Sequence, residues 1–497
     1  MAKKIIGAAL FIFVIFLFCY FRLKPIYFQT VGYTYDQGRD FLKAAEIIRD
    51  RNITFIGPTT GIQGLFHGAW YYYLLVIPFL LFGGAPIGYY YFNFIVHLTS
   101  LLVFMFFLKK WFGSAISLLI GSIIAASPYF IFTSIFVGNN IFVLPLLVFF
   151  IICNYYIFIA NRDLKKFIWF LAGLSVSFIF EFEVAFGLFL IPSYFLILLL
   201  KKQTRRILFR RKRFVFFLSG FIIPFIPRLL FEIKNGFFQI KTIFSYFLQP
   251  KISSPKSLID VLVSRSNLFW RYFKGLFAND LTFYSFLLGL IISGLVVLYK
   301  RKKNNYKSIN FFSSLILLLF IFSLFYKDNF WANYYEGIQY LFLVLAANIF
   351  FLALNKKRGL LVLLIMVLFI NLATSMNSVI KDFNKKPEQK LLNNQIAIVT
   401  YISNKVQLPK ESEYCVKVYT PPVIPFTYRY LFLYKNISKK ISYPKEEWVN
   451  RKCWYIIETD DNKERRAEWI DKNIPRVADM VEKKLFNDVE ILLYELN

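Results

Sequence analysis

Residues 166–202 read KFIWFLAGLSVSFIFEFEVAFGLFLIPSYFLILLLKK, and this stretch decides the fold. Two apolar runs, 167–180 and 184–200, stand between basic ends and are joined by Glu181-Phe182-Glu183. Each approaches the ~20 residues with which an α-helix crosses the hydrocarbon core of a bilayer. The unit repeats in both directions. Runs 113–134 and 141–160 precede it. Runs 214–230 with 282–299, and 310–326 with 336–354, follow it, and a last run covers 359–377.

Composition agrees. Of 497 residues, 58% are hydrophobic and only 18% charged, and the mean hydropathy is +0.53. This excludes a disordered chain, a disulfide-stapled secreted module and an ordinary soluble enzyme. The net charge of +30 would point to nucleic acid in a soluble protein. Here the charge is gathered in short clusters between apolar runs, as in loops between spanning helices, so no nucleic-acid partner is expected.

Six clusters, Lys3–Lys4, Lys109–Lys110, Arg162–Lys166, Lys201–Arg213, Lys300–Lys307 and Lys356–Arg358, hold 23 Lys and Arg against one acid, Asp163. Excess Lys and Arg marks cytoplasmic loops, which places all six inside. Two runs then separate each successive pair after Lys110, as that assignment requires. The interval from Lys4 to Lys109 holds three runs, 5–22, 69–83 and 87–108. The middle one, about 15 residues between Gly68 and Gly83-Gly84, is short for a span. It reads as a re-entrant or interfacial helix, with a tilted span as the alternative. Residues 5–22 read as a retained anchor. The fold expected is an all-α polytopic membrane protein of about eleven transmembrane helices, multi-pass in the plasma membrane, with its N-terminus cytoplasmic.

The outer loops include 23–86 and 231–281. In the latter, 255–277 has helical apolar spacing with Lys256, Arg265, Arg271 and Lys274 interspersed, which fits a surface-lying helix or a short packed one. A membrane unit over 1–377 is followed by a tail, 378–497, with 21 basic and 17 acidic residues, so it reads as a small extracytoplasmic α/β domain. Strands are expected at Tyr414–Tyr419, Cys453–Glu458 and Val489–Leu496, and helices near 387–406, 427–435 and 462–473. Cys415 and Cys453 are either a disulfide or two buried thiols.

Ionisable groups in or near a membrane are functional candidates. Asp36 and Asp40 flank Arg39 after the first run. They offer a base beside an anion site, or Asp36 caps a helix over 39–49. His67 precedes the aromatic run Trp70-Tyr71-Tyr72-Tyr73 and could touch a phosphate. Asn139 and Asn140 read as turn residues or polar ligands. Glu181 and Glu183 form either a solvated turn or a site for a cation, a hydroxyl or a proton. Arg228 and Glu232 follow Pro224 and Pro227, where Arg suits a lipid phosphate or simply snorkels. All five clusters fall on the outer side, although only basic residues assigned the sides.

The layout resembles the GT-C glycosyltransferase superfamily, in particular the aminoarabinose-transferase, protein O-mannosyltransferase and RgtA/B/C/D-like group. The resemblance rests on Asp36-Gln37-Gly38-Arg39, on His67-Gly68-Ala69-Trp70-Tyr71-Tyr72, on Asn139-Asn140 followed by Pro145, and on Pro227 through Phe231-Glu232 to Gly236-Phe237. It implies an inverting transfer of sugar from a polyprenyl-phosphate donor to a hydroxyl of a lipid, glycan or protein. Asp36 would be the general base. Arg39, His67 and Arg228 would bind donor phosphate, and Asp40, Asn139, Asn140, Glu181, Glu183 and Glu232 would bind sugar or acceptor. Asn139-Asn140 stand where the family often has a second Asp. No metal or other cofactor is therefore expected, unless Glu181 and Glu183 converge on Asp36. The alternatives are a many-helix polysaccharide ligase or polymerase, or a flippase or transporter for lipid-linked sugar. Few ionisable groups fall at helix centres, which weighs against transport.

Overall fold

The computed structural model of the chain describes residues 2–158, 166–200, 205, 211–248, 257–299, 306–326, 330–354, 369–377, 390–406, 413–438 and 441–497. Helix α1 (Ala2–Tyr27) leads into the first long loop. That loop holds α2 (Tyr35–Arg49), the antiparallel strands β1 (Ile56–Thr59) and β2 (Phe66–Gly68), and α3 (Trp70–Leu81). The apolar body continues as α4 (Pro86–Phe112), α5 (Ser114–Ala126), α6 (Pro128–Ser134), α7 (Val143–Phe158), α8 (Lys166–Phe182), α9 (Val184–Leu200), α10 (Arg211–Ile222) and α11 (Ile226–Lys234). The second long loop carries α12 (Phe238–Leu248) and α13 (Leu258–Lys274). Helices α14 (Asp280–Tyr299), α15 (Lys307–Ser323) and α16 (Gln339–Leu354) follow.

Among the described residues, five helical segments are long and apolar enough to cross a membrane, or six if the bent pair α5–α6 is one span. The chain is a multi-pass membrane protein. The basic pair Lys109–Lys110 lies in the last turn of α4. Most of the clusters Arg162–Lys166, Lys201–Arg213, Lys300–Lys307 and Lys356–Arg358, and the first part of the run 359–377, lie outside the described residues.

Run 113–134 is not one straight helix. It breaks at Ser127-Pro128 with a bend of 65°. Pro128 disfavours helical backbone at the preceding residue, and Ser127 is extended (φ −67°, ψ 127°). The break exposes carbonyls inside the apolar body, and two polar side chains from other helices satisfy them. Arg22 of α1, fully buried, donates to Ile124 O (3.1 Å), Ala125 O (2.9 Å) and Ser134 Oγ (2.7 Å). Asn93 of α4 donates to Thr133 O (3.2 Å), Ser134 O (3.1 Å) and Phe136 O (2.8 Å). Together they fix the direction in which residues 136–140 leave the helix.

Helix α3 has 12 residues, about 18 Å at 1.5 Å per residue, which is short of a bilayer core. Just beyond its end, Gly84 O accepts from Tyr430 Oη of the tail (2.8 Å). Its start adjoins α2, which also packs on the tail. Both ends therefore lie close to elements that contact the tail. Helix α13 combines both expected characters. Leu258, Ile259, Leu262 and Val263 face outward. Arg265 turns inward to Tyr326 O (2.6 Å) and Ser323 O (3.3 Å) at the end of α15.

The tail holds α17 (Leu392–Val406), β3 (Val416–Tyr419), α18 (Phe426–Ile437), β4 (Lys452–Ile457), α19 (Lys463–Asn473), β5 (Ala478–Phe486) and β6 (Val489–Leu496). One sheet runs β3-β4-β6-β5, with β3 parallel to β4 and the other pairs antiparallel. Strand β5 was not expected. It is mostly exposed, so it lacks the alternating buried face by which a strand is read from sequence. Cys415 and Cys453 are disulfide-bonded.

The tail docks on the first loop. Tyr33 N donates to Lys390 O (2.8 Å) and Leu392 N to Val31 O (2.9 Å). Phe41 of α2 stacks on Tyr89 at 3.7 Å, and Tyr89 Oη meets Tyr430 Oη of α18 at 3.0 Å. Gly38 permits this approach, since a Cβ there would collide with the backbone of Phe426 and Thr427.

Candidate active site

A cavity of about 480 Å³ opens where α2, the β1–β2 hairpin, the end of α6, the α8–α9 turn, Tyr326 and residues 331–336 meet. Asp36, Arg39, Asp40, His67, Asn139, Asn140 and Glu183 line it, together with Glu336. Residues up to 300 positions apart thus share one space.

Helix α2 supplies the acids and the cation. Its start is at Tyr35 rather than Arg39, and Thr34 N donates to Gln37 Oε1 (2.9 Å) at the N-terminus. Asp36 is therefore not the cap. It lies in the first turn, half-exposed, with Oδ1 2.8 Å from Arg39 Nη1. Arg39 Nε donates to Asp40 Oδ1 at 2.8 Å. Burial opposes the Arg39 charge, but Asp40 and Asp36 hold its pKa above the ordinary value. Burial lifts the Asp40 carboxyl to about 7, against the pull of Arg39. Asp36 is thus the accessible carboxylate, oriented by a guanidinium that Asp40 anchors from below.

His67 lies on β2 rather than in the first turn of α3. Its Nδ1 accepts from Val184 N at 3.4 Å, which leaves the proton on Nε2. Burial, then the charges of Arg228 and Arg39, lower its pKa to about 3. It is a neutral hydrogen-bond donor, not a cation.

On the opposite wall, Asn139 Nδ2 donates to Phe182 O (2.8 Å), closing the end of α8. Asn140 Nδ2 donates to Glu336 Oε2 (3.2 Å). Glu183 Oε1 accepts from Ala185 N (3.3 Å) at the start of α9. Burial first, and the Glu336 charge second, raise Glu183 well above the carboxylate range. Glu336 was missed in the sequence because it stands at the mouth of the apolar run 336–354, where a lone acid reads as a helix-start residue.

Burial raises Glu336 to about 7, offset by hydrogen bonds from Tyr129 and Asn140. The folded value exceeds the unfolded one, so between about pH 4.5 and 7 only the folded chain keeps this proton, and stability falls as pH rises through that window. Glu336→Gln fixes the neutral form. The variant is expected to exceed wild type by less than about 1 kcal/mol at pH 5 and by up to about 3 kcal/mol at pH 8. Thermal unfolding at the two pH values measures this, and an equal effect at both would reject a proton-holding Glu336.

Three expected site residues stand elsewhere. Arg228 Nε donates to Glu181 Oε1 (2.7 Å), and Nη1 donates to Phe66 O (2.9 Å) and Gln239 Oε1 (2.8 Å). Glu181 is in the last turn of α8, not in the loop. Glu232 accepts from Gln239 N and Ile240 N, both at 3.2 Å, at the start of α12. None of the three lines the cavity. They brace the strand that carries His67. Gly68 allows this, since a Cβ there would collide with the Glu181 carboxylate. Glu181 stands outside the cavity that Asp36 and Glu183 both line. Among the described residues no three His, Cys, Asp or Glu side chains gather as a metal site. Between Asp36 and Asp40, where a hard cation would be held, stands the Arg39 guanidinium.

No family model matches the chain, and no curated protein matches its sequence. Solved structures do match. Over 99% of this chain and 98% of the other, it is similar to ArnT from Cupriavidus metallidurans bound to undecaprenyl phosphate, with a TM-score of 0.60 and 12% identity. The apo state of that protein gives 0.59 and 11% over the same shares. The Archaeoglobus fulgidus oligosaccharyltransferase in complex with zinc and sulfate gives 0.52 and 11%, over 88% of this chain and 62% of that one. At such identities the likeness is one of fold. The chain has the fold of the GT-C membrane glycosyltransferases, as the sequence resemblance implied.

Proposed function

We propose that this GT-C-fold chain is a glycosyltransferase that moves a sugar from a polyprenyl-phosphate donor to a hydroxyl acceptor, with inversion, on the extracytoplasmic side. The observation that carries the reading is the cavity itself. It gathers an accessible carboxylate and a guanidinium from α2 and a neutral histidine from β2, in a fold whose solved relative holds undecaprenyl phosphate. In this reading eleven helices span the membrane, the basic loops are cytoplasmic, and the cavity and tail are outside.

The chemistry needs a base for the acceptor proton and donors for the departing phosphate. Asp36 takes the proton as the acceptor oxygen attacks the anomeric carbon. The bond from that carbon to the phosphate oxygen breaks, and the electrons leave with the phosphate. Arg39 orients Asp36 and meets the phosphate charge, and His67 donates through Nε2–H. Asp40 anchors Arg39. Asn140, Glu183 and Glu336 hold sugar or acceptor hydroxyls. Arg228, Glu181 and Glu232 keep the His67 strand in place. No step requires a metal ion.

Arg39→Met tests the donor half. Wild type is expected to bind polyprenyl phosphate, read by thermal shift in nanodiscs, and the variant to bind about tenfold or more weakly. Equal binding by both proteins would reject Arg39 as the phosphate group's partner.

A further inference from the structure

A second cavity, about 360 Å³, lies wholly in the tail, away from the site above. Its volume is that of a small-molecule site. Its floor is β3, the edge strand of the sheet. Cys415 O and Tyr419 O accept from Trp454 N (3.0 Å) and Glu458 N (3.1 Å) on the β4 side. Backbone groups alternate sides along a strand, so Val416 and Val418 face away from β4. Val416 N is used by Lys445 O (2.9 Å). The N–H and C=O of Val418 turn toward the cavity and have no hydrogen-bond partner among the described residues.

The walls are aromatic and charged. Tyr443, about half-exposed, and Trp469 supply rings. Arg429 Nη2 lies 2.7 Å from Glu446 Oε1, and both side chains are exposed enough (42% and 69%) to bind something further. Lys417 adds an amine.

This lining discriminates among ligands. An added peptide strand needs several consecutive free backbone pairs. Only Val418 offers one, because Lys445 takes Val416 and the chain turns at Thr420, whose Oγ1 donates to Pro422 O (2.8 Å). A saccharide ring has one apolar face, which stacks on an aromatic ring, and a rim of hydroxyls that both donate and accept. The Arg429–Glu446 pair offers donors and an acceptor side by side, and Val418 offers one of each. We propose that this cavity binds a saccharide of one or two units, separately from the transfer site, and so engages glycan on the outer surface.

The test uses full-length protein in nanodiscs. The probes are methyl glycosides of glucose, mannose, galactose and N-acetylglucosamine, with their disaccharides. Binding is read by saturation-transfer NMR and tryptophan fluorescence. At least one probe is expected to bind wild type and Asp36→Asn equally. Arg429→Met and Tyr443→Ala, both at exposed positions, are each expected to bind it about tenfold more weakly with unchanged melting temperature. The proposal is overturned by no binding of any probe to folded protein, by binding that Asp36→Asn abolishes and the tail variants retain, or by preference for an extended peptide or inorganic phosphate.

Discussion

Asp36→Asn is expected to lower sugar transfer by a factor of about 10² to 10⁴, the range of a positioned general base. It should do so without loss of fold. Asp36 is half-exposed, and its pair with Arg39 is a surface contact, worth about 1 kcal/mol or less. The amide keeps an oxygen for Arg39 but cannot take the acceptor proton. The melting temperature should therefore change little while turnover collapses. A well-folded variant that still transfers sugar would remove Asp36 from the mechanism. The base would then be sought among Asp40 and Glu183, both buried, and Glu336, partly buried, each with a raised pKa.

Arg228→Met is expected to do the opposite. Its guanidinium meets Glu181, Phe66 O and Gln239 inside the protein. Removing it leaves the Glu181 carboxylate buried without its partner, a change that costs about 3–5 kcal/mol. Accumulation in the membrane and melting temperature should both fall. Glu181→Gln added to Arg228→Met should recover part of the loss, because the orphaned charge is gone. If Arg228 instead binds donor phosphate, Arg228→Met would fold normally and lose donor affinity alone. The two measurements separate a brace from a ligand.

The two variants mark how far the sequence could be read. Helices were legible because apolar runs between basic clusters have one economical solution in a bilayer. Of the eight residues named above as lining the cavity, all but Glu336 were legible in the sequence as polar groups flanking the apolar runs. Sequence could not distinguish lining from bracing. Glu181 and Glu183 are two residues apart, yet one pairs with Arg228 behind the wall and the other faces the cavity, since successive helical positions point some 100° apart and a helix ends between them. Glu336 was hidden by its place at the start of an apolar run, and its role follows only from Asn140, nearly two hundred residues away. The bend at Ser127-Pro128 had a local signal in the proline. Its cause and direction did not, because they depend on Arg22 and Asn93 from other helices.

The docking of the tail shows the same division. Its strands Cys453–Glu458 and Val489–Leu496 were visible as alternating apolar runs, and observed β4 and β6 fall on them. That α18 rests on α2 could not be seen, since it requires the absent side chain of Gly38 and the ring stack of Phe41 on Tyr89. The contact matters for function in the proposed reading, because α2 carries Asp36 and Arg39.

The most direct measurement incubates the purified protein with a panel of polyprenyl-phosphate-linked sugars and follows donor consumption and release of polyprenyl phosphate, by wild type and by Asp36→Asn. The account predicts that wild type consumes at least one donor and that folded Asp36→Asn consumes it at least about a hundredfold more slowly. Consumption at equal rates by the two proteins, or no consumption of any donor by folded wild type supplied with a membrane extract as acceptor source, would contradict it.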